Sequence, residues 1–485
     1  MIEYIKQLSL IKKYLFITLI LHLISVYFSV GFYKDDEHFQ ILEPIAYLLN
    51  VNNVILKDNG YWYWEWEYAM RPWSQSHIYY LLIKICKYFN LNDPFLWSFV
   101  LRLFSSIIGL FSIFYLFQTF KKLFNVKDNH FNYIIFFTFW FYPFLHSRTS
   151  SENLGISFFI ISFCFLYKSV TDQSNRTYLK YNLFFGLLLG LSMVFRLNLI
   201  FTILPILLWT LIFNFNLKKI FTISLGVSVA MIFGALVDIF SYKYFTISYY
   251  NFFYWNIIWG RMADFGHQPW WFYPSSILLD LAPFVSVYFL LGLIFYWLKK
   301  PLSMFTWLTI FTIFIISLFS HKEIRYVFPI YIFAPFFIIY LFEYFKGSVW
   351  VNPSKYLVIF SNIIFLLLTL FTPANGKIAV LKYINTQTIE ENDLFYLDSN
   401  PYLINEMEPF FYTHALPSIS KYQKNIEVSS DLHKGWFVTN NYNKFKLLSS
   451  EQNCKKKYNT FPENLINLNP NWKNLKLNWY VLYCK

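Results

Sequence analysis

Long apolar runs constrain this chain before anything else does. Stretches of about 17 to 23 residues with scarcely a charge recur along it, from a first run near Tyr14–Phe32 to a last near 355–373. At about 1.5 Å per helical residue each is long enough to cross a bilayer. Hydrocarbon offers no water to backbone polar groups, so a spanning chain must be helical or a closed barrel, and continuous rather than alternating runs select helices. Of 485 residues, 57% are hydrophobic and 14% charged, against roughly 25% charged in a soluble domain. The expected class is an all-α polytopic membrane protein. The net charge of +13 does not call for nucleic acid, because much of the Lys sits in short turns between runs, where it orients the chain. Four cysteines are too few for a disulfide scaffold or a thiolate metal site, and Cys86 and Cys164 read as packing residues. No metal cluster is visible, so no metal or cofactor is expected.

The first run follows Lys6, Lys12 and Lys13 with no small-residue cleavage site, so it reads as a retained anchor. With Lys turns kept cytoplasmic, the N-terminus lies inside and residues 34–94 form an external loop. A second span covers about 95–117. Others lie near 131–146, 154–170, 180–195, 198–214, 219–240, 276–298, 303–320, 326–345 and 355–373, about eleven in all. The odd number leaves 374–485 outside as a small α+β domain, with strand-like runs at Leu394–Leu397 and Trp479–Tyr483. Cys454 and Cys484 then share a compartment that permits disulfides; whether they pair is open. The sequon Asn175-Arg176-Thr177 falls in a cytoplasmic turn and is expected to be unused.

Directly behind the first span stands Tyr33-Lys34-Asp35-Asp36-Glu37-His38-Phe39-Gln40. Three adjacent carboxylates could simply end the span and solvate it, yet Lys or Arg would serve as well and like charges repel. Ile41–Leu49 reads as a short amphipathic helix on the membrane surface, and Ile78–Phe89 as another. Between them lie the aromatic run Tyr61–Glu67 and Arg71-Pro72-Trp73.

The arginines run against the orientation rule. Six of seven fall at external span ends or loops: Arg71, Arg102, Arg148, Arg196, Arg261 and Arg325. Guanidinium is a permanently charged fork suited to phosphate, and charge near a membrane is a functional candidate by default. Each Arg alone is better explained by headgroup contact or by pairing with Asp238, Asp264, Glu152 or Glu323; the set, converging on one face beside three carboxylates, favours an anionic ligand. The densest cluster is His321-Lys322-Glu323-Ile324-Arg325-Tyr326, in a short external turn at headgroup depth. Acids beside a phosphate-binding cationic turn suggest group transfer from a phospholipid carrier, with a carboxylate as base.

These residues resemble a known family. His321-Lys322-Glu323-Ile324-Arg325-Tyr326 is similar to the His-Lys-Glu-x-Arg-Phe signature of glycosyltransferase family 22, the polyprenol-phosphate-mannose-dependent mannosyltransferases. Asp36-Glu37-His38-Phe39-Gln40 resembles its Pro-Asp-Glu-x-Phe/Trp-Gln motif, with Asp35 where proline is usual. Leu101-Arg102-Leu103, Ser147 to Glu152 and Asn251 to Tyr273 resemble further family stretches in the same order, and Leu397 to Tyr402 resembles a run in its external domain. Trp64-Glu65-Trp66 with Arg71-Pro72-Trp73 looks most like the branch acting third in glycosylphosphatidylinositol (GPI) anchor assembly.

The resemblance implies a GT-C fold and an inverting transfer of mannose from polyprenyl (dolichyl) phosphate mannose to a lipid-linked glycan such as a GPI precursor. It places Asp36 as general base, with Glu37 orienting the acceptor or keeping Asp36 ionised. It gives the donor phosphate to His321, Lys322 and Arg325, with Arg196 and Arg102 as further candidates. Trp64, Trp66, Arg71 and Trp270 are suited to sugar, although an interfacial aromatic belt explains many of the tryptophans. The domain limits are 1–373 for the membrane part, with its catalytic loop at 34–94, and 374–485 for the external part. The site is expected at the luminal face of the endoplasmic reticulum, or in the periplasm if the chain is bacterial. Another polyprenyl-linked sugar or acceptor is an open alternative. A lipid-linked glycan transporter is the rival class, but midplane charges and repeated halves are not seen.

Overall fold

All eleven apolar stretches are helical in the computed structural model, which describes residues 9–51, 64–171, 175–390, 392–422, 434–450, 452, 454–461 and 478–484. Tyr61–Tyr63 and the side chains of Trp64 and Arg176 lie outside that description. Continuity is rarer than apolarity. Among the described residues five helical stretches are long and apolar enough to cross a membrane, starting at Leu10, Pro94, Ser151, Leu217 and Val351. A sixth arises if Ile324–Tyr331 and Ala334–Tyr344, bent by 54°, are one span.

The breaks have local causes. The run near 131–146 splits into His130–Phe137 and Phe141–His146. Asn362 repairs the gap: its Oδ1 accepts from Trp140 N at 3.0 Å and its Nδ2 donates to Thr138 O at 2.8 Å. A side chain thus replaces the lost helical bonds, as broken helices in an apolar surrounding require. The run near 276–298 likewise divides into Phe272–Leu279 and Pro283–Lys299, with Pro283 at the first turn of the second piece.

The chain forms two compact units. The first comprises Met1–Ser25, Trp64–Gln75 and Leu103–Leu370. In it Asn175–Phe195 packs between Ser151–Thr171 and Leu217–Tyr242. The last contact is nearly backbone to backbone. A Cβ on Gly186 would meet Ile223 O at 2.2 Å, and one on Gly226 would meet Leu183 O at 2.6 Å. Small residues that let helices approach supply the van der Waals attraction that replaces the hydrophobic drive in lipid. Leu217–Tyr242 turns Phe221, Ile232, Leu236 and Phe240 outward. The core is aromatic: Phe120 meets Phe305 edge-on at 4.8 Å and Phe124 stacks on Phe336 at 4.9 Å, geometries that suit ring quadrupoles.

The second unit gathers Val26–Tyr63, Ser76–Arg102 and Phe371–Lys485. Its five-stranded mixed sheet runs β2-β1-β3-β5-β4, with β1 Leu394–Tyr396, β2 Ser420–Lys421, β3 Gly435–Thr439, β4 Lys455–Asn459 and β5 Tyr480–Cys484. β1 pairs parallel with β2 and β3, while β5 pairs antiparallel with β3 and β4. Cys454 and Cys484 form a disulfide; Cys86 and Cys164 are free and buried. After the first helix the chain turns at Gly31, whose φ of +92° favours glycine. Val30 O accepts there from Ala374 N and Asn375 N.

One expectation needs correcting. Ile41–Leu49 is helical, as a π-turn over His38–Leu42 followed by Glu43–Leu48, but Ile41, Leu42, Ile45 and Ala46 are buried. The stretch is packed within the unit instead of lying on a surface, because Phe410–Thr413 covers it. The helix Ser74–Tyr88 is two-sided, burying Tyr79 and Ile83 while exposing Leu81, Ile85 and Tyr88.

Candidate active site

In the first unit the cationic residues converge on one carboxylate. Glu152 sits in the opening turn of Ser151–Thr171, where a helix N-terminus favours an anion. Its Oε1 accepts from Arg196 Nη2 at 2.8 Å and from Arg325 Nη1 at 3.0 Å. Arg196 follows directly on Asn175–Phe195, and Arg325 lies in the 3-10 turn Ile324–Val327. Arg325 Nε pairs with Glu323, whose other oxygen meets His321 Nε2 at 3.2 Å. A pocket of about 20 Å³, bordered by Glu152, Arg196, Asn198, Arg325 and Tyr326, opens here, roughly one water in size. Lys322 is turned inward. Its amine donates to Gln268 O at 2.9 Å and to Phe319 O, and burial lowers its pKa.

The remaining residues expected on this side separate. Trp66 is buried, its ring 4.9 Å from Trp73 and 6.1 Å from Tyr242, so it fills an aromatic cluster. Arg71 pairs with Glu65 and lies 5.3 Å from the centre of the Phe252 ring. The Arg71-Pro72-Trp73 turn is pinned by Asp238, which accepts from Trp73 N at 2.8 Å and from Ser248 Oγ at 2.5 Å. Trp270 is 73% exposed and meets Trp271 edge-on at 5.7 Å. Arg148 lies 5.2 Å over Phe144, and Arg261 sits between the faces of Tyr68 and Trp255 at 5.1 and 5.2 Å.

In the second unit Asp35, Asp36 and Glu37 form a single turn that runs into the π-turn, a helix irregularity frequent at functional sites. Three neighbouring carboxylates meet three environments. Asp35 accepts from Asn405 Nδ2; burial raises its pKa, the neighbouring Asp36 charge adds to this, and the Asn405 bond opposes it. Glu37 is buried, and its Oε2 accepts from Tyr33 N at 3.1 Å. Asp36 is half-buried. Behind them His38, fully buried, meets Glu43 Oε1 at 2.6 Å and stacks on Tyr412 at 5.6 Å. Glu43 Oε1 also accepts from Phe411 N at 3.1 Å. Arg102 is buried in this unit too, donating to Val26 O and Ser98 Oγ, both at 3.1 Å. Its charge reaches Tyr412, whose hydroxyl burial pushes up to about 12.

His321, Arg325 and Arg196 are therefore gathered in one unit, and Asp36, Glu37 and Arg102 belong to the other. Sequence reading left Glu152 out of the site, although an acid opening a helix beside Arg148 was a usable signal. Nothing local marks His38, Glu43, Asn405 and Tyr412 as supports of the acidic turn. Among the described residues no three His, Cys, Asp or Glu are grouped to hold a metal.

The family model of Alg9-like mannosyltransferases matches residues 13–407. GPI mannosyltransferase 3 of Candida albicans is 27% identical over 78% of this chain and 73% of its own length. Alpha-1,2-mannosyltransferase ALG9 of Saccharomyces cerevisiae is 28% identical over 61% of this chain and 52% of its own. Human GPI alpha-1,2-mannosyltransferase 3 is 21% identical over 76% and 64%. Among solved structures, ArnT from Cupriavidus metallidurans bound to undecaprenyl phosphate superposes with a TM-score of 0.58 at 11% identity, over 97% of each chain. The fold is that of ArnT, the GT-C architecture.

Proposed function

The chain belongs to the Alg9-like mannosyltransferase family and is an α-mannosyltransferase, and from there we propose its donor, acceptor class and mechanism. The donor is polyprenyl (dolichyl) phosphate mannose, and the acceptor is a lipid-linked glycan of the GPI-precursor kind. The observation that carries this is the guanidinium pair of Arg196 and Arg325 held on Glu152 in a turn rich in further donors. Two fixed forks match a phosphate monoanion geometrically, where a lysine offers only a point charge. The lipid phosphate bound to the ArnT neighbour supports a carrier of that chemistry.

In the proposed reaction Asp36 accepts the proton of an acceptor hydroxyl as its oxygen attacks the anomeric carbon of a β-linked mannosyl phosphate. The carbon–oxygen bond to phosphate breaks, the configuration inverts to α, and polyprenyl phosphate departs with the bonding pair. Arg325 and Arg196, with His321, stabilise the charge gathering on that phosphate. Glu37, Lys322 and Arg102 are suited by their burial to hold backbone and loop geometry. Trp270, and Trp64 with Arg71, are the sugar-side candidates. The eleven helical stretches are taken as crossings of the endoplasmic reticulum membrane, with the site and the α+β domain luminal.

The test is transfer by the purified enzyme from labelled dolichyl phosphate mannose or dolichyl phosphate glucose to a GPI-precursor glycolipid. The expected product carries label only from the mannosyl donor and loses it to an α-mannosidase. Transfer from the glucosyl donor alone, or release of label by a β-mannosidase, would overturn the reading.

A further inference from the structure

A second pocket, far larger than the one beside Glu152, lies within the second unit and encloses about 420 Å³. Its lining is amphipathic. Apolar residues include Phe28 and Val30 at the end of Leu10–Phe28, Phe371 at the end of Val351–Phe371, and Ala379. The Phe28 and Phe371 rings lie 5.5 Å apart, and both are partly exposed. Polar residues include Lys382 and Thr386 from the helix Gly376–Asn385 and its sequel, and Asn459 from β4. Tyr383 and Tyr458 stack at 4.7 Å with planes 11° apart, and Lys382 Nζ stands 5.0 Å over Tyr27.

Two facts place this pocket at the depth where hydrocarbon gives way to headgroups. Both apolar helices that end on it are long enough to cross a membrane, and tyrosines ring it as they ring membrane interfaces. Its charge is one-signed. Among the described residues Lys382 is the single charged member of the lining, and β4 opens with Lys455, Lys456 and Lys457, all exposed, before Tyr458 and Asn459 reach the wall. Two charges outside the lining act on Lys382, Arg102 first and Asp93 after it; Asp93 Oδ1 accepts from Phe95 N at 3.0 Å and from Asn385 Nδ2 at 3.1 Å. Apolar residues at acyl-chain depth, a cation among them and a basic strand beyond are complementary to an anionic lipid, whose phosphate a lysine amine pairs with and whose chain the phenylalanines cover.

We propose that this pocket is a binding site for one anionic glycerophospholipid of the bilayer, its phosphate toward Lys382 and its chain against Phe28 and Phe371. The volume lies within the range of about 300 to 1,000 Å³ typical of small-molecule sites. Its lining shares no residue with the donor-phosphate candidates, and the proposal stands whether or not the proposed donor is right.

The test is native mass spectrometry of the full chain released from nanodiscs of phosphatidylcholine with one-fifth phosphatidylinositol. The expected result is one retained phosphatidylinositol per chain. Occupancy should fall at least fivefold in Lys382→Glu, and equally in Thr386→Trp, which fills the pocket without changing charge. Lys122→Glu, a charge reversal on a remote exposed lysine, should leave occupancy unchanged. Equal retention of phosphatidylcholine, unchanged occupancy in Lys382→Glu or Thr386→Trp, or an equal loss in Lys122→Glu would overturn the proposal. A thermal melt of each variant shows that it is folded; should Lys382→Glu fail to fold, Lys382→Gln and Thr386→Trp decide the matter by the same fivefold criterion.

Discussion

Asp36 stands between Asp35, which accepts from Asn405, and Glu37, which accepts from the Tyr33 amide. The general-base proposal is tested at Asp36 itself. Asp36→Asn keeps the shape and cannot take a proton, so kcat should fall by about 10² to 10⁴ with donor KM little changed; a loss of only a few-fold would hand the role to another carboxylate. Arg325 holds Glu323 with one nitrogen and Glu152 with another, a reach that an ammonium group cannot copy. In folded Arg325→Lys the donor KM should rise by roughly 10- to 100-fold, the scale of one charge-assisted hydrogen bond at about 1.5 to 3 kcal/mol. Donor titration at saturating acceptor measures it, and an unchanged curve would take the phosphate away from Arg325 and leave Arg196 to hold it. The motifs were legible because their residues lie within a few positions of one another. Glu152 was legible only as one of four acids able to pair with an arginine; that it joins Arg196 and Arg325, the latter 173 positions away, was not, since no periodicity links residues so far apart.

Helices were legible as apolar runs, but their interruptions were not. An apolar run reports solvent preference and says nothing of whether the backbone ladder continues, and at Thr138–Trp140 the ladder ends because Asn362 takes over its bonds. The strands Leu394–Tyr396 and Tyr480–Cys484 fall where β-branched and aromatic residues cluster. Their pairing into a mixed sheet depends on a topology that local composition does not encode. At this scale the disulfide closes a separation of 30 residues and ties β5 to the residue that leads into β4. Removing such a bridge costs about 2 to 4 kcal/mol. Cys454→Ser and Cys484→Ser should each lower the melting temperature of the purified protein, and the double variant should lower it no further than either single one. Thiol titration in denaturant without reductant should find only Cys86 and Cys164 reactive; four reactive thiols would show the bridge absent.

For the molecule as a whole, the lysine distribution predicts sidedness. Single cysteines replacing exposed Lys34 and Trp270 should react with an impermeant maleimide only from the luminal side of sealed microsomes, and those replacing Lys122 and Lys218 only from the cytoplasmic side. Labelling of position 34 from the cytoplasm would end the luminal assignment of the acidic turn. The partition of the chain was less legible than its topology, because a contiguous reading cannot anticipate that 26–63 and 76–102 fold with 371–485. That partition bears on descent. The proposed base is carried by one set of segments, and the Arg196–Glu152–Arg325 grip by another. A lineage can therefore alter the segments that carry Asp36 and those that carry the arginine grip independently of one another. Grafting 26–63, 76–102 and 371–485 together from a relative, and not the acidic turn alone, is the exchange that should keep that turn on its own supports, Asn405, Glu43 and Tyr412, while changing none of the residues of the Arg196–Glu152–Arg325 grip.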